Sequence, residues 1–190
     1  MPLTTLDPNT ALIVVDLQKG IVNGNFIHPI DEVIDRTRAL IGVFRAKNLP
    51  VVLVNVAGRA PGRTEQGPRS NTALSEGWID LLPQLDQQPS DLVVTKRSWG
   101  AFATTDLEHQ LKARGVTQVV VTGVVTSIGV EATARQAYEQ GFNVTLAVDA
   151  MTDFQREPHE YSIQNVFPRL GETGSAQEIL SLLEKRSSTL

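Results

Sequence analysis

The 190-residue sequence contains no cysteine. Without a thiol the chain cannot form disulfides, thiolate zinc sites or iron–sulfur clusters, and it has no cysteine nucleophile. It also lacks any long basic cluster, since the longest are the pairs Lys96-Arg97 and Lys185-Arg186. With a net charge of −4, this argues against nucleic-acid binding as the main activity and against a basic membrane-binding patch.

Long hydrophobic runs are absent as well. The first apolar run, Ala11 to Val15, ends at an aspartate, far short of the ~20 apolar residues that a membrane span needs. The segment before it has neither a basic region nor a long apolar region, so no secretory leader is predicted. We therefore expect a cytoplasmic protein with no membrane partner.

The composition that remains is ordinary for a globular protein, with 41% hydrophobic and 20% charged residues. A length of 190 residues predicts a single domain over residues 1–190.

Short, valine-rich, nearly continuous apolar runs alternate with helix-like patterns. Such runs are typical of strands covered on both faces, and the alternation predicts βαβ units, hence an α/β fold with a mostly parallel sheet between helices. The strand candidates are Ala11–Asp16, Pro50–Val56, Asp91–Lys96, Thr117–Thr122, Asn143–Asp149 and, more weakly, Arg169–Glu172. The helix candidates are Asp31–Lys47, Asp106–Arg114, a segment after Val124 with alanines at 132, 134 and 137, and Ser175–Lys185, where Ser175 and Glu178 form a capping-box pattern.

One long irregular region, Ala57–Ser75, carries three glycines, two prolines and the arginines Arg59, Arg63 and Arg69. A loop of this length within a compact domain is usually functional or mobile.

Polar residues follow several of the predicted strands. Asp16 ends the first strand, Lys96 ends the third, and the fourth leads through Gly123 to Gly129 into a helix. Ligands of open parallel sheets bind beyond the carboxyl ends of the strands, and N–H groups at a helix start can bind an anion. We therefore expect a carboxylate, an ammonium and a helix start to face one crevice.

Each of these residues also has a purely structural interpretation. Asp16 could cap a loop, Lys96 could be a solvated edge residue, and the two could form a structural ion pair. The glycines do not form the G-x-G-x-x-G motif of a dinucleotide site. The histidines, His28, His109 and His159, lack metal-ligand spacing, so neither a metal nor an organic cofactor is predicted.

Three segments together resemble the isochorismatase-like hydrolase superfamily, in order and in spacing, and the resemblance extends over nearly the whole chain. They are Asp16 within IVVDLQ, Lys96 ahead of Gly100-Ala101-Phe102, and the run Thr122–Arg135, TGVVTSIGVEATAR. The resemblance implies a three-layer α/β/α fold around a six-stranded sheet, and a homo-oligomer, either a dimer or a tetramer.

Most members of that superfamily are cysteine hydrolases with an Asp, Lys and Cys triad, and the position of the Cys is Gly129 here. Without a thiol no acyl-enzyme can form there. Nicotinamidases also carry a metal-binding Asp/His set that has no match in this sequence. The isochorismatases proper lack the cysteine and cleave a vinyl ether, releasing pyruvate.

By that resemblance Asp16 donates a proton to the enol-ether methylene, Lys96 orients substrate or holds negative charge, and Gly129 leaves room and offers its N–H. Donation requires a protonated Asp16, although the pKa of a free aspartate is about 3.9. Lys96 would lower the pKa of Asp16, whereas burial and a bound substrate carboxylate would raise it. We therefore expect neutral substrates to be processed poorly.

Other residues near these motifs have two interpretations. Val125, Trp99, Phe102 and Arg63 are candidate substrate contacts, but the two aromatic side chains could equally be core and the arginine a solvated loop residue. Thr126 or Ser127 could replace the missing thiol, yet Ser127 suits a helix N-cap better. Glu131 and Arg135 form an i, i+4 pair that we expect to be structural.

Three functional hypotheses remain. The first is hydrolysis of a small carboxylated substrate by vinyl-ether cleavage, with Asp16, Lys96 and Gly129 as the catalytic residues. The second is hydrolysis of another small molecule by water that Asp16 activates. The third is a catalytically silent binding or assembly subunit.

Overall fold

The computed structural model describes residues 3–65 and 74–185. Within these ranges the strands are β1 (Thr10–Val15), β2 (Val51–Val56), β3 (Leu92–Lys96), β4 (Gln118–Val124), β5 (Asn143–Thr152) and β6 (Glu172–Gly174). They form one sheet in the order β3-β2-β1-β4-β5-β6, and each neighbouring pair is parallel. The predicted α/β fold with a parallel sheet is therefore confirmed.

Helices cover both faces of this sheet. They are α1 (Lys19–Val22), α2 (Ile30–Ala46), α3 (Leu107–Ala113), α4 (Glu131–Glu139), α5 (Arg156–Tyr161), α6 (Phe167–Leu170) and α7 (Ala176–Lys185). Two π-helical turns, Thr126–Val130 and Ser162–Val166, lead into α4 and α6.

The core consists of two hydrophobic layers, one on each side of the sheet. Along β1, Ile13 and Val15 belong to the layer that includes residues of α3, α4 and α6, whereas Leu12 and Val14 belong to the layer that includes residues of α2 and α7. Because successive strand side chains point to opposite faces, a strand buried on both sides must be apolar throughout, as β1 is.

The predicted strands and helices agree with the structure except that the short helix α1 was not predicted and that several elements differ towards the C-terminus. The sixth strand is Glu172–Gly174 rather than Arg169–Glu172, because residues 167–170 form α6 and its second residue, Pro168, is well suited to a helix start. Strand β5 continues past Asp149 to Thr152. Helix α5 was not predicted, since its sequence, REPHEY, has no apolar period.

Two local predictions have clear outcomes. The capping box at α7 is confirmed, since Glu178 N–H donates to Ser175 Oγ (3.2 Å) and Ser175 N–H donates to Glu178 Oε2 (2.7 Å). In the predicted loop 57–75, residues 57–65 form neither helix nor strand. Residues 66–73, which include Arg69, lie outside the described residues.

Among the described residues no helix is both long enough and apolar enough to cross a membrane.

Candidate active site

The site begins where β1 and β4 lie side by side at the centre of the sheet. Chain connections leave these two strands in opposite directions, which makes their carboxyl ends the topological switch point of the fold. Gly123 allows the close approach: its φ is +111°, and a Cβ there would lie 2.1 Å from the carbonyl oxygen of Val15. Only glycine fits this position.

Asp16 directly follows β1 and has an unusual backbone. Its φ is +54°, in the left-handed region that non-glycine residues rarely adopt. Its N–H still donates to the Val54 carbonyl (2.9 Å), while Gln18 N–H donates to the Asp16 carbonyl (2.8 Å). The chain therefore turns sharply at Asp16. Such conformations persist where the surroundings enforce them, often at functional sites.

The Asp16 carboxylate forms a buried ion pair with Lys96 at the end of β3. Lys96 Nζ lies 2.7 Å from Asp16 Oδ2, and the two side chains are only 2% and 6% exposed. Lys96 Nζ also donates to the carbonyls of Trp99 (2.8 Å) and Ser98 (3.3 Å). An ammonium has three N–H donors, so all three are directed at protein atoms. Lys96 is thus no solvated edge residue.

The second carboxylate oxygen of Asp16 is not matched in the same way. Asp16 Oδ1 is buried and has no hydrogen-bond partner among the described residues. Burial raises the pKa of Asp16 to about 6, against the opposing effect of Lys96. The site therefore holds a carboxyl group that can exist as acid or base near neutral pH, and one of its oxygens has no partner in the part of the chain that the structure describes.

Gly129 lies against this carboxyl group. It belongs to the turn Thr126–Val130 at the start of α4, and a Cβ there would lie 3.1 Å from Asp16 Oδ2 and 3.1 Å from Val15 Cγ1. Position 129 is therefore adjacent to the Asp16–Lys96 pair. Glycine fills it with backbone only.

Helix α4 connects the Gly129 turn to the loop that holds Lys96. The Thr133 hydroxyl donates to the Gly129 carbonyl (2.7 Å) and accepts from the Ala101 N–H (3.2 Å). Gln136 Oε1 accepts from the N–H groups of Phe102 (2.9 Å) and Ala103 (3.2 Å). The carbonyls that hold Lys96 therefore belong to a loop anchored on α4.

The four predicted substrate contacts lie in different environments. Trp99 is 59% exposed, so it is not a core residue. Phe102 is 3% exposed and its ring lies 5.9 Å from that of Phe142, so the core interpretation describes its position. Val125 is buried directly before the Gly129 turn, at a cis Val124–Val125 peptide bond. Arg63 is exposed in the loop after β2.

Neither hydroxyl considered as a replacement for the thiol stands at position 129. Thr126 is fully buried, and its Oγ1 lies 2.9 Å from Nδ1 of His159. The backbone N–H of Ser127 donates to Asp153 Oδ2 (2.8 Å). The predicted pair of Glu131 and Arg135 is present at 2.9 Å.

Sequence reasoning missed Asp153 and His159. The rule of polar residues at strand ends would have found Asp153, had β5 been predicted to reach Thr152. His159 has no sequence signal: it lies in α5, and its ring centroid is 5.0 Å from that of His28, a residue 131 positions earlier. No group of three or more His, Asp or Glu residues in the described part of the chain could hold a metal ion.

A parallel sheet with a buried Asp–Lys pair beyond the carboxyl ends of its strands, beside the start of a helix, is the arrangement that the resemblance to isochorismatase-like hydrolases implies. The Isochorismatase domain family model matches residues 10–178. The chain therefore belongs to the isochorismatase family.

Several relatives are similar over nearly their whole length. The isochorismatase family protein YecD of Escherichia coli O157:H7 is 41% identical over 92% of this chain and 96% of its own. YwoC of Bacillus subtilis is 38% identical over 90% of this chain and 92% of its own. A solved isochorismatase family protein from Burkholderia thailandensis has 39% identity and a TM-score of 0.89, covering 95% of this chain and 98% of its own.

Relatives with a named activity include hydrolases. Nicotinamidase 3 of Arabidopsis thaliana is 29% identical over 84% of this chain and 83% of its own. The Isochorismatase of Bacillus subtilis is 25% identical over 94% of this chain and 59% of its own. The protein is a hydrolase of this family.

Proposed function

We propose that the protein hydrolyses a small carboxylated vinyl ether without a covalent intermediate, with Asp16 as the general acid. The observation that carries this proposal is the state of the Asp16 carboxyl group. It has a pKa raised by burial to about 6 and one buried oxygen without a partner among the described residues. It lies beside a residue, Gly129, that offers no nucleophilic side chain.

In this reaction the protonated Asp16 donates its proton to the terminal methylene of the enol ether. The C=C electron pair forms the new C–H bond, which leaves an oxocarbenium ion at the ether carbon. Water adds to that carbon and loses a proton, and the resulting hemiketal collapses to a keto acid and an alcohol. One water is consumed in total, and Asp16 regains a proton.

Lys96 has a defined place in this sequence of events. Once Asp16 has lost its proton, the carboxylate faces an ammonium 2.7 Å away, which stabilises the new negative charge. Because Lys96 also donates to the Ser98 and Trp99 carbonyls, we assign it to Asp16 rather than to the substrate anion. Substrate contacts are then expected from Val125, Trp99 and the loop residue Arg63.

The experiment is a substrate panel with and without EDTA. Isochorismate, nicotinamide and simple carbamoyl compounds are offered to the wild type and to Asp16→Ala. Pyruvate release from isochorismate, lost in Asp16→Ala and unaffected by EDTA, supports the proposal. Amide turnover by the wild type contradicts it, and no turnover by folded protein favours a silent binding subunit.

A second panel tests the dependence on substrate charge. A substrate carboxylate near Asp16 raises the pKa of Asp16 and so retains the proton. We expect the pH–rate profile of a carboxylated substrate to extend to higher pH than that of its neutral ester. Identical profiles would show that substrate charge does not control the protonation of Asp16.

A second candidate function rests on the short contact between Asp16 and Lys96. An ammonium at 2.7 Å favours the ionised carboxylate, and an ionised Asp16 could activate water as a general base. The two functions predict opposite pH dependences, because the first needs the protonated and the second the ionised carboxyl group.

We also propose that the protein functions as a homo-oligomer, a dimer or a tetramer. Several large apolar side chains are exposed on the described surface, among them Trp99 (59%) and Tyr161 (63%). Light scattering after size exclusion tests this, and a monomer at micromolar concentration would contradict it.

A further inference from the structure

The Gly129 turn, residues Thr126–Val130, is held by contacts from the far end of β5 and from α5. His159 Nδ1 contacts Thr126 Oγ1 at 2.9 Å, and Asp153 Oδ2 accepts from Ser127 N–H at 2.8 Å. One residue beyond the turn, Glu131 Oε2 accepts from Ser162 Oγ at 2.6 Å. Hydrogen bonds therefore hold the turn at its first two residues, Thr126 and Ser127, and at Glu131, which directly follows its last residue.

On its other side the same turn faces the Asp16 carboxyl group. A Cβ on Gly129 would lie within 3.1 Å of Asp16 Oδ2, so backbone and carboxyl group are already near van der Waals contact. A small movement of the turn thus changes the surroundings of the acid directly. Misplacing reacting groups by about 1 Å can cost about 100-fold in rate.

Among these hydrogen bonds, the one between His159 and Thr126 connects two buried side chains. Thr126 is fully buried and His159 is 6% exposed. Burial, and then the neighbouring His28, lower the pKa of His159; Asp153 and Glu160 oppose this, and Arg156 adds to it. His159 is therefore neutral at neutral pH, and it fixes the threonine hydroxyl without bringing a charge close to the acid.

We propose that His159 is a positioning residue of the active site: its imidazole, bonded to the Thr126 hydroxyl, fixes the turn that places Gly129 against Asp16. The kinetic part of the test rests on the proposed function. A second readout, the position of the Gly129 amide, does not depend on any activity.

The test compares five variants with the wild type, one of them a matched control. His159→Leu removes the contact, and His159→Gln keeps a side chain that can hydrogen bond. Thr126→Val removes the hydroxyl with little change of shape. A double variant combines His159→Leu with Thr126→Val. His28→Gln is the matched control, because His28 lies beside His159 but contacts Thr152 (3.2 Å) rather than the turn.

We expect His159→Leu to shift the Gly129 amide cross-peak in a 15N–1H NMR spectrum and to lower kcat for pyruvate release about 10- to 100-fold with little change in KM. His159→Gln recovers most of the loss. Combining His159→Leu with Thr126→Val is no worse than the poorer single variant, because both remove one interaction. His28→Gln leaves the Gly129 amide in place.

An unmoved Gly129 amide in folded His159→Leu would overturn the proposal, and so would additive losses in the double variant. If His159→Leu does not fold, Thr126→Val against Thr126→Ser makes the same comparison, with serine restoring the wild-type spectrum. A wild type that releases no pyruvate would contradict the proposed function, while the amide shifts would still decide the role of His159.

Discussion

Among the described residues, two aspartates with nearly fully buried side chains form ion pairs, one beyond the carboxyl end of the central strand β1 and one before the amino end of β3. The two differ in how completely their carboxylate oxygens are hydrogen bonded. Asp91, just before β3, is 1% exposed at its side chain. It accepts from Arg45 Nε (3.1 Å) and Nη2 (2.5 Å) and from the Gln88 N–H (2.8 Å). Asp16, after β1, has Lys96 on Oδ2 and no partner for Oδ1 among the described residues.

Under the proposed function, this difference separates a structural ion pair from a catalytic one. A buried carboxylate with every oxygen bonded is stable as it stands, whereas a buried oxygen without a partner has a cost that a substrate can relieve. The presence of a groove does not by itself identify the active site. A groove of about 380 Å³ at the amino ends of the strands is lined by residues that include Arg45 and Asp91. We therefore locate the chemistry by the unmatched oxygen and not by the groove.

The largest expected effect comes from neutralising each aspartate in turn. Asp16→Asn removes the transferable proton, and we expect kcat for pyruvate release to fall by about 10²- to 10⁴-fold. Asp91→Asn keeps activity within a few-fold but lowers the free energy of unfolding by about 1–3 kcal/mol, because Arg45 loses its charged partner. Steady-state kinetics and urea unfolding measure the two effects, and comparable activity losses in both variants would remove the distinction.

Removing each cation sharpens the same comparison. Lys96 lowers the pKa of Asp16, so in Lys96→Met we expect that pKa to rise above the wild-type value of about 6. The alkaline fall of the pH–rate profile then moves to higher pH. We expect Arg45→Met to destabilise the fold and to leave the pH–rate profile unchanged. A profile that shifts in Arg45→Met but not in Lys96→Met would contradict the assignment of Lys96 to Asp16.

Both members of the Asp16–Lys96 pair could be predicted from the sequence, because each ends a continuous apolar strand and parallel strands bring their carboxyl ends to one edge. Gly129 was located by resemblance alone. The saturation of the Lys96 donors was not predictable, since two of the three acceptors are backbone carbonyls whose direction depends on the fold of the 98–99 loop.

The residues that contact the Gly129 turn could not be predicted from the sequence, for a different reason. Asp149 interrupts the apolar run of β5, so the strand was predicted to end there, and Asp153 was not recognised as a strand-end residue. His159 and His28 meet only because α5 and the segment before α2 pack together, a long-range contact with no local pattern. Sequence periodicity reports burial within an element, not which elements meet.

The pH dependence of stability gives a smaller effect with a defined sign. The pKa of Asp16 rises on folding from 3.8 to about 6, so the folded state binds the proton more tightly. This contribution is complete below about pH 4 and is lost as the pH rises through 6. It amounts to at most about 3 kcal/mol. Urea unfolding between pH 4 and 8 should show the decline in the wild type and in Asp91→Asn but not in Asp16→Asn; a decline of the same size in Asp16→Asn would contradict the raised pKa.

The smallest effect concerns the glycine beside the acid. A methyl group at Gly129 would press on Asp16 Oδ2 and Val15 Cγ1 at 3.1 Å, and we expect Gly129→Ala to lose about 1 kcal/mol of unfolding free energy together with activity. Gly42→Ala is the matched control, because Gly42 is an exposed residue of α2 and an added methyl group there has nothing within 4 Å. It should gain about 0.5–1 kcal/mol. Equal gains at both positions would show that Gly129 is not crowded.

The most direct test of the central claim, that Asp16 acts as an acid, is the pH dependence of kcat/KM for pyruvate release from isochorismate. This profile reports the free enzyme, in which the pKa of Asp16 is about 6. An acid role predicts that kcat/KM is highest below pH 6 and falls about tenfold per pH unit above it. A profile that instead rises through pH 6, and disappears in Asp16→Asn, would contradict the acid role and assign Asp16 as the base that activates water.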